Sequence, residues 1–208
     1  MTRYEYYEQM KALARNVRAE HSLTTPRVLR TDLRRIYKAQ KIKIDLRPGF
    51  KNLRGAYFND DYGTTVVIAK GLPADPTVFT MAHELKHHLA DRETRGFQCS
   101  YSPSTTDPVE IGAEVFAAEL LFPEAEFLRL LNDAGVTTGN CTAEHLVRLK
   151  HETRTTLSYQ GLAKRAEFMK LAPAGTFNGV QFKKLEEQIF GKPFRRPRRA
   201  VGRRRFGT

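Results

Sequence analysis

The run FTMAHELKHHLA at residues 79–90 restricts the fold of this chain more than any other segment. Within it His83, Glu84 and His87 form an H-E-x-x-H pattern. On an α-helix, positions i and i+4 differ by about 40° in azimuth, so both imidazoles point the same way and can grip one ion. Glu84 lies beside that direction, where it can hold and deprotonate water. Neutral imidazoles suit zinc (Zn2+), which brings the pKa of its water down to about 7 and so yields a nucleophile at neutral pH. With 6 histidines and 15 glutamates in 208 residues, chance supplies the pattern only about 0.01 times. Ala82, Leu85 and Leu89 give the segment an apolar face that would seat it as a buried helix. His88 reads as a solvated flanking residue. Asp91, one turn beyond His87, reads either as a partner that orients an imidazole or as a plain surface acid.

A catalytic zinc site needs a third protein ligand and an open position. The segment DPVEIGAEVFAAELLFP, residues 107–123, offers one. Asp107-Pro108 opens a helix with a capping acid and a first-turn proline. Glu110 is followed three residues later by Ala113, and Gly112, Ala113 and Ala117 are small enough to let this helix approach the histidine helix. Glu110 also fits the N3 position of a capping box, and Glu114, one turn on, shares its face. Glu110 is the preferred third ligand, with Glu114 the alternative. His21, His145 and His151 are the remaining histidines.

The other segments alternate in kind. Tyr4, Tyr7, Met10, Ala14 and Val17 recur at helical spacing, and Thr25-Pro26 reads as the start of a second helix carrying Leu29, Leu33 and Ile36. KIKIDL (41–46), GAYFND (55–60) and TTVVIA (64–69) read as strands, with turn chemistry at residues 60–63. A third helix is expected to start at Asp75-Pro76. Helices are expected at Glu124–Asn132, Ala143–Glu152 and Tyr159–Leu171, and a short one near Gln181–Phe190. Peptide would add to the edge of this small sheet, along the TTVVIA strand.

The formal net charge of +12 suggests an anionic partner such as nucleic acid. Eight positive charges and no acid fall in KPFRRPRRAVGRRRFGT, residues 192–208, which leaves the other 191 residues at +4. That tail reads as disordered and suited to phosphate or acidic partners. The helical pair in 145–171, with Arg148, Lys150, Arg154, Lys164 and Arg165, is compatible either with helix-turn-helix DNA binding or with packing on the body. No apolar run approaches the roughly 18 residues that cross a bilayer, so a cytoplasmic chain with no membrane partner is expected. Cys99 and Cys141, 42 positions apart, suggest neither a disulfide scaffold nor a metal knuckle.

AHELKHH followed by EIGAEVFAAELLFP resembles the ImmA/IrrE family of zinc-dependent metallopeptidases. The family's usual pattern is A-H-E-L-x-H, then E-x-x-A-N-x-F-A-x-x-L-L-M-P. Ala113, Phe116, Ala117, Leu120, Leu121 and Pro123 match it, while Glu114 stands where the family usually has Asn and Phe122 where it has Met. The resemblance spans about residues 27–172. It implies His83, His87 and Glu110 as zinc ligands and Glu84 as general base. Members are typically bacterial or phage-borne, and several cleave a transcriptional repressor and so act as anti-repressors.

The sequence therefore predicts an α+β fold: a zincin-like metallopeptidase body with a small β-sheet and a zinc-binding helix. Its parts would be an N-terminal helix (1–24), the metallopeptidase domain (25–135), a helical C-terminal part (136–191) and the Arg-rich tail (192–208). The leading function is a zinc metalloendopeptidase acting on a protein substrate, such as a helix-turn-helix repressor, with nucleic acid reached through the tail. The alternative is a DNA-binding regulatory protein whose metal site is structural or sensory.

Overall fold

A computed structural model describes residues 2–49, 53–92, 96–100 and 107–192, with strand 96–100 given by its backbone alone. The fold is α+β. Two helices, α1 (Arg3–Glu20) and α2 (Arg30–Ala39), precede β1 (Lys43–Arg47), β2 (Leu53–Asp60) and β3 (Gly63–Ala69). Then come α3 (Ala74–Ala90), β4 (Gly96–Ser100) and α4 (Pro108–Leu121). Helices α5 (Glu124–Asp133), α6 (Ala143–Thr153), α7 (Tyr159–Phe168) and α8 (Phe182–Phe190) complete it. None of the described helices is long and apolar enough to cross a membrane.

The sheet order is β1-β3-β2-β4, with β1 parallel to β3 and the other pairs antiparallel. The TTVVIA segment, expected at an edge, is therefore an internal strand. Its backbone is engaged on both sides, Val66 facing Ile44 of β1 and Tyr57 of β2. Val66 and Ile68 are buried, as β-branched side chains on a covered strand should be. Among the described residues the outer strands are β1 and β4. Strand β4 (GFQCS), five residues with only Phe97 and Cys99 apolar, was not expected from the sequence and forms by pairing along β2. Opposite β4, Arg54 is an extra residue between the pairs Leu53–Ser100 and Gly55–Cys99, which makes a bulge.

Two helix starts differ from the sequence reading, each for a tertiary reason. Helix α2 begins at Arg30, where the Asp32 carboxylate accepts from the Leu29 N–H at 2.8 Å. The Thr25–Val28 segment instead serves as a strap. Thr25 O accepts from Arg18 Nη2 at 3.0 Å and Val28 O from Thr156 Oγ1 at 2.9 Å. Helix α3 starts at Ala74, so Asp75 lies in the first turn and binds Lys150 Nζ at 3.0 Å rather than capping.

Helix α3 lies against β2 and β3 on one side and against α2 and α4 on others, and α1 packs along α4. The Tyr37 hydroxyl ties α2 to α3 by donating to Met81 O at 2.7 Å. In the helical pair, Leu146, Val147, Leu162 and Ala166 are fully buried. Lys150 is turned inward, donating to Thr155 O (2.6 Å) and Leu157 O (2.9 Å). The tail beyond Lys192 lies outside the described residues.

The joint between α1, α4 and α7 is ionic. Glu119, 1% exposed, receives Arg15 Nη1 at 3.1 Å and the Glu124 N–H at 2.9 Å, with Arg165 Nη2 3.5 Å away. Arg165 also donates to Phe122 O. Removing one partner of a buried charge pair strands the other, at a cost of roughly 3–5 kcal/mol. Arg165→Met is accordingly expected to lower unfolding stability by about 3 kcal/mol in urea titrations. Arg129→Ala, which removes an exposed i,i+4 pair with Asp133, should change it by about 0.5 kcal/mol or less.

Candidate metal centre

Helix α3 is enclosed on nearly every side: Met81, Ala82 and Leu85 are 1% exposed or less, and Thr77 through His88 are buried apart from Phe79. Its polar residues are buried with it, and each finds a specific place. His83 Nε2 lies 3.3 Å from His87 Nε2 and 3.2 Å from Glu110 Oε2, and Glu110 Oε1 is 3.6 Å from His87 Nε2. One ligand atom from each of the three falls within 4.8 Å of the others. The i, i+4 spacing of the histidines aligns their rings, 5.1 Å apart. Glu110 arrives from the first turn of α4, whose N-cap Asp107 accepts from the Val109 N–H at 2.9 Å. The Glu110 carboxylate meets both histidines.

Asp91 sets the tautomer of His87. Its Oδ2 lies 2.9 Å from His87 Nδ1, and because a carboxylate only accepts, Nδ1 carries the proton and Nε2 presents its lone pair to the cluster. Burial, the largest influence, lowers the His87 pKa; the Asp91 hydrogen bond opposes it without reversing it, so the neutral, ligating form is favoured. Burial alone would raise the Asp91 pKa, but hydrogen bonds from His87 and Lys86 bring it below the usual value.

Lys86 is the residue the sequence reading missed. Beside an H-E-x-x-H pattern it looks like a surface lysine, yet it is 0% exposed. Its Nζ donates to Asp91 Oδ2 at 2.7 Å and to Val109 O at 3.0 Å, and lies 5.5 Å from the centre of the Tyr6 ring. One ammonium thus joins α3 to the start of α4 and to α1 while fixing the carboxylate that orients His87.

Two glycines make the close approaches possible. A Cβ at Gly55 of β2 would fall 2.6 Å from Glu84 Oε1 and 2.6 Å from Thr80 Cγ2, so only glycine leaves room for the Glu84 carboxylate there. A glycine inside a strand pattern was the available signal. Gly112 does not serve contact with α3, as its small size suggested; a Cβ there would meet the Tyr6 ring of α1 at 2.6 Å.

The remaining sequence candidates are elsewhere. Glu114, half-exposed, lies 3.7 Å from Lys164. His88 is not solvated but 2% exposed, with Nδ1 3.5 Å from the Tyr57 hydroxyl. His145 accepts from the Thr142 N–H at the start of α6, His151 stacks on Phe190 at 3.7 Å, and His21 lies 3.7 Å from Glu20. Burial pushes the Cys141 thiol up to about 11, which leaves it inert. The Cys99 side chain lies outside the described residues.

The donor set fits a divalent cation. Two imidazole nitrogens and a carboxylate converge, one of the nitrogens held as a lone-pair donor by Asp91, which is a set of donors that zinc and similar cations take. A fully buried glutamate next to such a cluster, on a helix carrying H-E-x-x-H, defines a metallopeptidase-type site. The chain belongs to the IrrE N-terminal-like domain family of peptidases, which it matches over residues 39–166. That match contains both histidines, Glu84, Glu110 and the whole sheet, and leaves α1 outside. No curated protein matches the chain.

If Asp91 holds His87 in its ligating tautomer, Asp91→Ala should weaken metal affinity about 10–100-fold. Lys86→Met should act in the same direction through Asp91. Competition with a chromophoric chelator measures both, and an affinity unchanged in Asp91→Ala would contradict the assignment.

Proposed function

We propose that this protein is a zinc-dependent metalloendopeptidase that hydrolyses a peptide bond in a protein substrate. The observation that carries the reading is the meeting of His83, His87 and Glu110 at one point, with the Glu84 carboxylate on the adjoining position of the same helix. These three side chains would hold the zinc, leaving a further position open as catalytic sites require. When bound, zinc supplies Lewis acidity toward a peptide carbonyl and toward water.

The chain's own residues do the remaining work. Glu84 takes a proton from the attacking water and delivers it to the leaving amine nitrogen as the C–N bond breaks. Its burial against Gly55 restricts the carboxylate to a narrow range of positions, which is what proton transfer at hydrogen-bond range needs. Asp91 and Lys86 keep His87 oriented through the cycle. Main-chain pairing of the substrate falls to an outer strand, since β3 is internal. Strand β4, which flanks the β2 segment bearing Gly55, is the strand placed for it.

A transcriptional repressor is the substrate class that membership in this family suggests. The Arg-rich segment 192–208 would hold the enzyme near nucleic acid on which such a repressor sits. The helical pair gives a DNA-reading role less material than its sequence suggested, because Lys150 and Arg165 bind carbonyls and acids inside the fold.

Glu84→Gln is expected to retain one equivalent of zinc and to lose cleavage of a co-expressed repressor by at least about 100-fold. His83→Ala and Glu110→Ala should lose the metal, and Glu114→Ala should keep it. Metal analysis of the purified variants and gel-based cleavage assays read these outcomes. Undiminished cleavage by Glu84→Gln would refute the assigned mechanism.

A further inference from the structure

A cleft of about 490 Å³ opens beside the metal cluster, within the roughly 300–1,000 Å³ range of ligand-binding clefts. Its floor is α3 and α4, and its walls are α1 and α7. On α3 it is lined by Phe79, one helical turn before His83; on α4 it is lined by Val115 and Ala118, one to two turns after Glu110. One turn is about 5.4 Å, so Phe79 and Val115 bring the cleft to within about two turns of His83 and Glu110. Arg54, set by the bulge next to Gly55 at Glu84, lines it from the sheet side.

Two of the most exposed large apolar side chains in the described structure border this cleft, Tyr4 of α1 at 68% and Phe168 of α7 at 69%. Exposed aromatics gathered at one concavity mark a binding surface rather than a random scatter. The charged groups around it are matched to one another. Lys11 is held by Glu124 at 2.7 Å and Glu8 at 2.9 Å, Lys164 lies 3.7 Å from Glu114, and Arg165 is committed to Phe122 O and Glu119. With those charges held by neighbours, the apolar lining has a large part in discrimination between ligands.

We propose that this cleft binds an apolar stretch of the peptide substrate, so that cleavage is directed by large aliphatic or aromatic residues a short distance from the scissile bond. The proposal rests on the peptidase reading and extends it to substrate choice. The cleft is lined by Ile111, next to Glu110 in the chain, by Phe79, one turn before His83, and by Arg54, next to the Gly55 that meets Glu84, and this nearness to the metal cluster favours a substrate segment as occupant. Helix α1 supplies one wall from outside the family-matched residues 39–166.

The test uses full-length, zinc-loaded Glu84→Gln protein to capture peptides from a random dodecapeptide library. The same capture is repeated with Tyr4→Ser and Phe168→Ser added, and separately with Ala118→Leu, which narrows the cleft. The serine substitutions fall on exposed positions, and circular dichroism and zinc content verify that each protein is intact. Captured peptides should be enriched in Leu, Ile, Phe and Met, and recovery should drop about tenfold or more in both cleft variants. Capture that lacks apolar enrichment, or that is indifferent to both variants, overturns the proposal. Wild-type protein is then given the captured peptides. Cleft-dependent capture without cleavage supports the binding site and sinks the peptidase reading. Cleavage indifferent to the cleft variants sustains the peptidase reading and sinks the cleft.

Discussion

His83 Nε2, His87 Nε2 and the Glu110 carboxylate meet between α3 and α4, within 3.2–3.6 Å of one another. Bringing three polar groups this close in a region this buried strips each of its water, a cost the surrounding contacts have to offset. The fold holds them together by enclosing α3 and anchoring both helices around it. Lys86 is central to that anchoring. Its ammonium is satisfied by Asp91 and Val109 O, so a charge that would be costly to bury unpaired becomes a tie between the histidine helix and the helix bearing Glu110. The same carboxylate then orients His87. Packing and site chemistry share one oxygen atom.

Other features follow from this demand. Gly55 is needed because the Glu84 carboxylate lies against the sheet, and Gly112 because the Tyr6 ring lies against α4 just beyond the Lys86 ammonium. Helix α1 is joined to the body by Arg18, which donates to Leu120 O at 2.7 Å, and by the Arg15–Glu119 pair. It is packed along α4 on one face and borders the cleft on another.

Local patterns carried much of this in the sequence. The i, i+4 histidines and Glu84 are legible because one helix fixes their relation, and β1, β2, β3 and α4 are legible through alternation or cap chemistry. What depended on tertiary contact was harder to read. Glu110 and Glu114 share a helix face, and only the position of α3 distinguishes them: the first meets two histidines, the second Lys164. His88 reads as solvated, and Lys86 passes unnoticed, because their types are usually exposed, but α3 has almost no exposed face. The TTVVIA strand reads equally well at an edge or inside a sheet, since its partners lie elsewhere in the chain. The start of α2 moved because Thr25 O and Val28 O accept hydrogen bonds from distant side chains.

X-ray absorption at the zinc edge of the purified full-length protein reads the proposed ligands from the metal outward. Bound zinc should show nitrogen and oxygen neighbours at about 2.0–2.2 Å, including two imidazoles, and no sulfur. A sulfur neighbour at about 2.3 Å, which would bring in a cysteine, or protein that takes up no zinc, would contradict the proposed ligand set.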